Sequence, residues 1–225
     1  MDLEAQATGI GALADDTRRT LYEYVSAQPE PVSREQAATA LGIAQHNVNF
    51  HLDRLVADGL LEVEYRRLSG KRGPGAGRPS KLYRRAQREF AVSLPPRRYD
   101  LVAGILATAV VRARDGEALD DALRDTAYVE GRALGASAPD ATEPAPLPKL
   151  AAALERQGYE PRVDDDVLEL VNCPFDALAQ THTALVCGLN HAYVQGVVDG
   201  LECHQVDAHL EPEPGRCCVK ARVRT

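Results

Sequence analysis

The sequence predicts an α+β protein in two parts: three helices closed by a β-hairpin at the N-terminal end, and helices mixed with short strands beyond. Three observations carry that prediction. Helical periodicity dominates residues 13–57 and then gives way to strand alternation at Leu60 to Tyr65, a Gly-rich run at Ser69 to Gly77, and a second strand at Lys81 to Arg85. Past Leu94-Pro95-Pro96 the pattern restarts as helices and ends as strand pairs separated by helices. Charge divides along the same line: residues 1–99 hold 15 Lys and Arg against 12 Asp and Glu, whereas the remainder holds 11 against 21. A length of 225 residues accommodates two modest domains.

The first helix shows an apolar stripe of Leu13, Leu21, Tyr24 and Val25, with Thr17 in register, and stops before Pro29. Ser33 with Gln36 three residues on reads as a capping box that opens a short second helix, and Gly42 closes it. Only Gly42-Ile43-Ala44 separates that helix from a third, running from about Gln45 to Ala57 and ended by Asp58-Gly59. Two helices across so tight a turn form a helix-turn-helix, and the hairpin that follows is its wing. The winged helix-turn-helix is expected over residues 8–92. A helical linker and dimerisation segment is expected over 97–136, with helices near Leu101 to Val110 and Glu117 to Leu134. An α+β sensor domain is expected over 149–225. Its strands are placed at Glu160 to Val163, Val167 to Val171, Glu202 to Leu210 and Arg216 to Val223, with helices over Phe175 to Val198.

Composition excludes several classes. With 44% apolar and 26% charged residues the chain is ordinary for a globular protein, and no stretch approaches the 18 or so unbroken apolar residues of a membrane span. The start, Met1 to Gln6, lacks the basic and apolar runs of a secretion signal, so a cytoplasmic location is expected. No G-x-S-x-G, Walker loop or H-E-x-x-H is present, and the chain is read as a non-enzyme. Cys173 before Pro174, with His182 downstream, is the weak remaining candidate for a nucleophile.

Although net charge is −7, Arg66 to Arg98 carries 11 basic residues against the single acid Glu89, an electrostatic footprint for phosphate. On a helical wheel Val48, Leu52, Leu55 and Val56 of the third helix share one face and leave His46, Asn47, Phe50, Asp53 and Arg54 outward. Asn and His side chains suit base edges in a major groove, Arg suits guanine or phosphate, and Phe can meet a thymine methyl. The DNA-contacting set is therefore Gln45, His46, Asn47, Asn49, Phe50 and Arg54 on the helix, and Arg66, Arg67, Lys71, Arg72, Arg78, Lys81, Arg84 and Arg85 on the wing. The wing residues position the protein on the backbone, with Arg78 of Gly-Arg-Pro directed into a minor groove. Taken singly, each of these residues is equally compatible with a solvated surface.

Residues 41–62, LGIAQHNVNFHLDRLVADGLLE, resemble the helix-turn-helix of bacterial ArsR-type and MarR-type regulators. The wing GPGAGRPSKLYR, with the later CPF and CC, is similar to the SufR-related regulators. That resemblance implies a repressor associated with an iron–sulfur cluster and its assembly genes, and widely spaced C-terminal cysteines as cluster ligands.

All five cysteines lie in the last 53 residues, spaced C-x13-C-x15-C-x13-C-C, too wide for a zinc ribbon or a ferredoxin run. An odd count in a chain without signs of export makes a disulfide scaffold unexpected. If Cys203 and Cys217 sit at opposite ends of a hairpin they are about 20 Å apart, which removes Cys203 from a shared site. The metal set is then Cys173, Cys187 and Cys217, the last favoured over Cys218 by strand alternation; Cys218, His182 and His191 are further candidates. Soft thiolates favour iron–sulfur or zinc over magnesium or calcium; the expected group is an iron–sulfur cluster, as 4Fe-4S with its fourth position open or filled by His182 or His191, and zinc is the alternative. His46, His51, His204 and His209 are left outside the site. Thiols that merely pack in a small core remain open, as does a regulator whose C-terminal domain binds an organic effector. Double-stranded DNA and a second copy of the chain are the expected partners.

Overall fold

A computed structural model describes residues 3–67, 79–138, 145–213 and 215–224. It divides into two compact units, Met1–Val92 and Ser93–Thr225. Among the described residues no helix is long and apolar enough to cross a membrane.

The first unit opens with a helix that periodicity does not reveal, α1 (Leu3–Ala12), followed by α2 (Asp16–Ala27). Helix α1 is invisible as an amphipathic stripe because its contact side is made of small residues: Gly9 and Ala12 are its buried positions, and the Phe90 ring occupies the space a side chain at Gly9 would need. Asp15 caps α2 by accepting from the Arg18 N–H at 2.9 Å, and that hydrogen bond lowers its pKa. The capping box forms as the sequence predicts: Gln36 N donates to Ser33 Oγ at 3.2 Å and Ser33 N donates to Gln36 Oε1 at 2.8 Å, opening α3 (Arg34–Leu41). Gly42, at φ 66°, closes α3 in the left-handed region, and α4 runs Gln45–Ala57. Strand β1 (Val32–Ser33), too short to register as alternation, joins β2 (Leu61–Arg66) and β3 (Ser80–Arg85) in an antiparallel sheet ordered β1-β3-β2. Leu21, Val25, Val48, Leu52, Leu55 and Tyr83 fill the core between helices and sheet. Ser33→Ala is expected to remove one half of the capping box and lower the stability of this unit by about 1 kcal/mol, read as an earlier midpoint in urea unfolding.

In the second unit α5 (Tyr99–Arg114), α6 (Leu119–Ala136), α7 (Pro146–Glu155), α8 (Asp176–Thr181) and α9 (Thr183–Gly200) accompany a four-stranded antiparallel sheet. The sheet is ordered β4-β5-β7-β6, from β4 (Pro161–Asp164), β5 (Val167–Leu170), β6 (Val206–Leu210) and β7 (Val219–Val223). Leu168, Leu170, Val206, Val219 and Ala221 share the buried core with α7 and α9. Cross-strand ion pairs lace charged residues of the sheet together: Lys220 to Glu169 at 3.0 Å and Arg222 to Glu211 at 2.7 Å. The helices expected at 97–136 share one core with the cysteine-bearing elements, since Val102, Ile105, Ala122 and Ala127 lie in the same cluster as Tyr159, Val194 and Val197.

Helices α6 and α9 meet through two glycine pairs, Gly131 and Gly135 against Gly196 and Gly200. A Cβ on Gly196 would stand 2.1 Å from the Tyr128 carbonyl oxygen, and one on Gly131 would stand 2.0 Å from that of Tyr193. The backbones touch directly. Tyr128 Oη then donates to Asp199 Oδ2 at 2.8 Å across the same crossing.

Candidate nucleic-acid interface and thiol site

On α4 the helical period places Val48, Leu52 and Leu55 fully inside. The same period leaves Gln45, His46, Asn47, Phe50, Asp53 and Arg54 exposed, with Asn49 half-buried at the margin. Phe50 is 67% exposed, with its ring edge-on to His51 at 5.2 Å. An aromatic side chain so placed, beside Asn47 and His46, gives the helix a polar surface with one apolar contact point, the composition that reads base edges and thymine methyl groups.

Asp53 is turned toward the wing. Its Oδ1 accepts from Tyr83 Oη at 3.0 Å and pairs with Lys81 Nζ, tying α4 to β3. Burial pulls the Lys81 ammonium down, but Asp53 and Tyr83 together outweigh it and leave its pKa raised. Other cations of the predicted set also have partners: Arg54 with Asp58 at 3.0 Å, Arg66 with Glu30 and Glu64 at 3.3 Å each, and Arg84 with its cross-strand neighbour Glu62 at 2.7 Å. Gln45 donates to Glu35 of α3 at 3.1 Å. Arg67 and Arg85 are exposed and have no ion pair among the described residues. Lys71, Arg72 and Arg78, assigned to the wing tip, lie outside the described residues.

The second unit gathers four of its five cysteines. Cys173 sits in the loop before α8, Cys187 is on α9, and Cys217-Cys218 immediately precede β7. Cys187 and Cys218 are joined as a disulfide, with Cα atoms 6.2 Å apart across 31 residues of sequence. This corrects the expectation of unpaired thiols: α9 packs over the entry to β7 and brings the two positions together. Preference for Cys217 over Cys218 assumed that both lay in a strand. Because β7 starts only at Val219, alternation does not separate them, and both are buried.

Interaction with Cys217 lowers the pKa of Cys173 against the opposing effect of burial, and the same interaction, with burial, pushes Cys217 strongly up. Asn190 Nδ2 donates to Cys217 Sγ at 3.1 Å, and Tyr159 Oη donates to Asn190 Oδ1 at 2.5 Å, all three residues being buried. Sequence reasoning missed Tyr159 and Asn190, whose only signal was a polar residue on an otherwise apolar stretch of α9. Desolvation raises the Tyr159 pKa well above the usual phenol range.

Cys203 does not occupy the strand expected for it. It is in the turn after α9, not in β6, and its thiol is 3.8 Å from the Pro146 and Leu201 carbonyl oxygens. His182 is exposed at the α8–α9 junction, and His191 Nε2 lies 3.0 Å from the Ala208 carbonyl. Among the described residues no three His, Cys, Asp or Glu side chains converge as a ready-made metal cage. Cys187 and Cys218 stand as a bonded pair, and Cys173 interacts electrostatically with Cys217, the chain neighbour of Cys218.

The Cys173 loop is held from the segment that leads into α5. Arg97 Nη1 donates to Asn172 Oδ1 at 2.6 Å and to the Cys173 carbonyl at 3.1 Å, and Arg98 N donates to the Pro174 carbonyl at 3.1 Å. Asn172 Nδ2 in turn donates to the Gly158 and Pro96 carbonyls at 2.6 and 3.2 Å.

Residues 13–64, from just before α2 into β2, match the model of a helix-turn-helix domain. The N-terminal unit is a helix-turn-helix DNA-binding domain of the kind found in transcriptional regulators. No curated protein and no solved structure matches the chain.

Proposed function

We propose that the protein is a homodimeric transcriptional repressor whose C-terminal unit senses an iron–sulfur cluster, or a metal such as zinc, through Cys173, Cys187, Cys217 and Cys218. The observation that carries this reading is the gathering of four cysteines from a loop, a helix and a strand entry in the unit joined to a DNA-binding domain. The similarity of the wing and of the CPF and CC motifs to SufR-related regulators supports it.

The donor set fits in its chemistry, since four sulfurs in one locality are soft ligands of the kind iron–sulfur clusters and zinc take. Those four thiolates would hold the group, with the Cys187–Cys218 bond open. When bound, the group supplies positive charge that keeps the thiols deprotonated and a cross-link among the loop, α9 and the β7 entry. Asn190 orients Cys217, and Tyr159 orients Asn190. Arg97 and Asn172 carry the position of the Cys173 loop to the Pro96–Arg98 segment, so a change at the thiols reaches the chain leading to the DNA-binding unit. Val110 and Val111 on α5 and Val129 on α6 are 49%, 58% and 60% exposed, an apolar surface for a second copy.

The test is a visible spectrum with iron, sulfide and zinc analysis on protein purified without oxygen, beside operator binding to duplexes selected from a random library. Each of the four cysteines is replaced singly by serine. Loss of bound metal and of metal-dependent operator affinity in those variants, with both kept in Cys203→Ser, is the expected outcome. Protein that stays metal-free after reconstitution, and binds DNA unchanged, removes the sensing mechanism and leaves the DNA-binding domain.

A further inference from the structure

Asp53 differs in charge from the other groups on the outer face of α4. It follows His46 by two helical turns and Phe50 by one, which keeps it on the face that carries both, and its side chain is 47% exposed. Its hydrogen bonds converge on one oxygen: Oδ1 accepts from Tyr83 Oη at 3.0 Å and from Lys81 Nζ, while Oδ2 accepts none among the described residues. Tyr83 is wholly buried in the core of this unit, so the group that holds the carboxylate is itself fixed. A carboxylate on the side of a helix that meets a polyanion weakens every complex by repulsion unless it gains a contact there. A link between α4 and β3 uses Oδ1 and leaves the second oxygen of a half-exposed acid without employment.

We infer that Asp53 is a further specificity-determining residue, its Oδ2 accepting from the exocyclic amine of a cytosine in the major groove, with Tyr83 and Lys81 the positioning residues that hold it. With α4 as the reading helix, on which this rests, the choice of base follows from hydrogen-bond polarity. A carboxylate accepts and does not donate. Cytosine offers it the N4 hydrogen, whereas guanine presents the acceptors O6 and N7, thymine the acceptor O4 and a methyl group, and adenine an amine next to the acceptor N7. Lys81 balances the negative charge from the Oδ1 side, so the acid approaches the groove as half of an ion pair. Tyr83 fixes the carboxylate from within the core, which sets where Oδ2 can meet a base.

The full-length protein, Asp53→Asn, Tyr83→Phe and Asn47→Ala are each used to select duplexes from a random library. The wild-type consensus should hold a cytosine whose preference is lost in Asp53→Asn and relaxed in Tyr83→Phe, with the other positions kept. Affinity of Asp53→Asn for a scrambled duplex should rise, since a negative charge has gone. On the wild-type operator, N4-methylcytosine keeps its base pair but replaces the major-groove amine hydrogen. At that one position it should lower wild-type affinity about 10-fold and leave Asp53→Asn unaffected. A consensus unchanged in Asp53→Asn overturns the inference, as does a loss of selectivity spread evenly over all positions, the result a mere staple between helix and wing would give. Wild-type affinity untouched by N4-methylation of each consensus cytosine in turn overturns it too, whether or not a variant folds. If α4 is not the reading helix, Asn47→Ala also leaves the consensus unchanged; if Asp53 alone is misassigned, Asn47→Ala still relaxes a position of its own.

Discussion

Gly196→Ala is expected to destabilise the C-terminal unit by about 3 kcal/mol, the upper end of what an extra buried carbon costs when its neighbours are backbone atoms. The new Cβ would be 2.1 Å from the Tyr128 carbonyl oxygen and 2.9 Å from the Arg132 nitrogen, and neither can turn aside as a side chain would. Helices α6 and α9 must separate, loosening the Tyr128–Asp199 hydrogen bond as they do. In calorimetry the melting of that unit should fall by roughly 10 °C. Gly188→Ala, two helical turns earlier on α9, is the internal control. Nothing lies within 4 Å of a Cβ there, so the change should stabilise the helix by about 0.5–1 kcal/mol. Opposite signs from the same substitution in one helix isolate the close approach from helix propensity. Equal effects would show that α6 and α9 do not cross on their glycines.

Asn47→Ala should weaken binding to a selected operator by 10- to 100-fold, about 1–3 kcal/mol, while changing affinity for a scrambled duplex little. The side chain is exposed on the outer face of α4 and makes no hydrogen bond among the described residues. Arg85→Ala provides the contrast. Its guanidinium is exposed on β3 without an ion pair among the described residues, so its loss should weaken operator and scrambled duplex alike and reduce the salt dependence of both. Fluorescence anisotropy at two salt concentrations distinguishes the patterns. If Asn47→Ala lowers both affinities equally, α4 is not the reading helix.

Punctuation made the first unit legible. Ser33 with Gln36, Gly42, and Asp58-Gly59 mark where backbone donors and acceptors run out of partners, and such local chemistry is written in adjacent residues. Helix α1 was not legible, because its packing side is Gly9 and Ala12, and small residues leave no trace in a hydrophobic pattern. The outward face of α4 followed from period alone, but the pairing of Asp53 with Lys81 and Tyr83 did not, since it joins positions about thirty residues apart. In the second unit the premise for leaving out Cys203 is replaced: a turn, not a strand, holds it. Alternation could not rank Cys217 against Cys218, because β7 begins at Val219, three residues after the start expected at Arg216. The glycines at 131, 135, 196 and 200 were in plain view; a spacing of four puts each pair on one helix face, yet which helix faces which is a tertiary fact.

Ion pairing on the DNA-binding unit has a further effect on how tightly the protein holds any duplex. Arg54, Arg66, Lys81 and Arg84 each already have a carboxylate partner, so a phosphate must displace an anion that is covalently part of the same chain. The free energy of each such contact is then the difference between two similar attractions rather than the whole of one. The acids act as a resident competitor for the sugar-phosphate backbone. Arbitrary sequence, which offers only phosphates, is therefore expected to be held briefly, and a site that also engages Asn47 and Phe50, as the proposed reading has it, for longer.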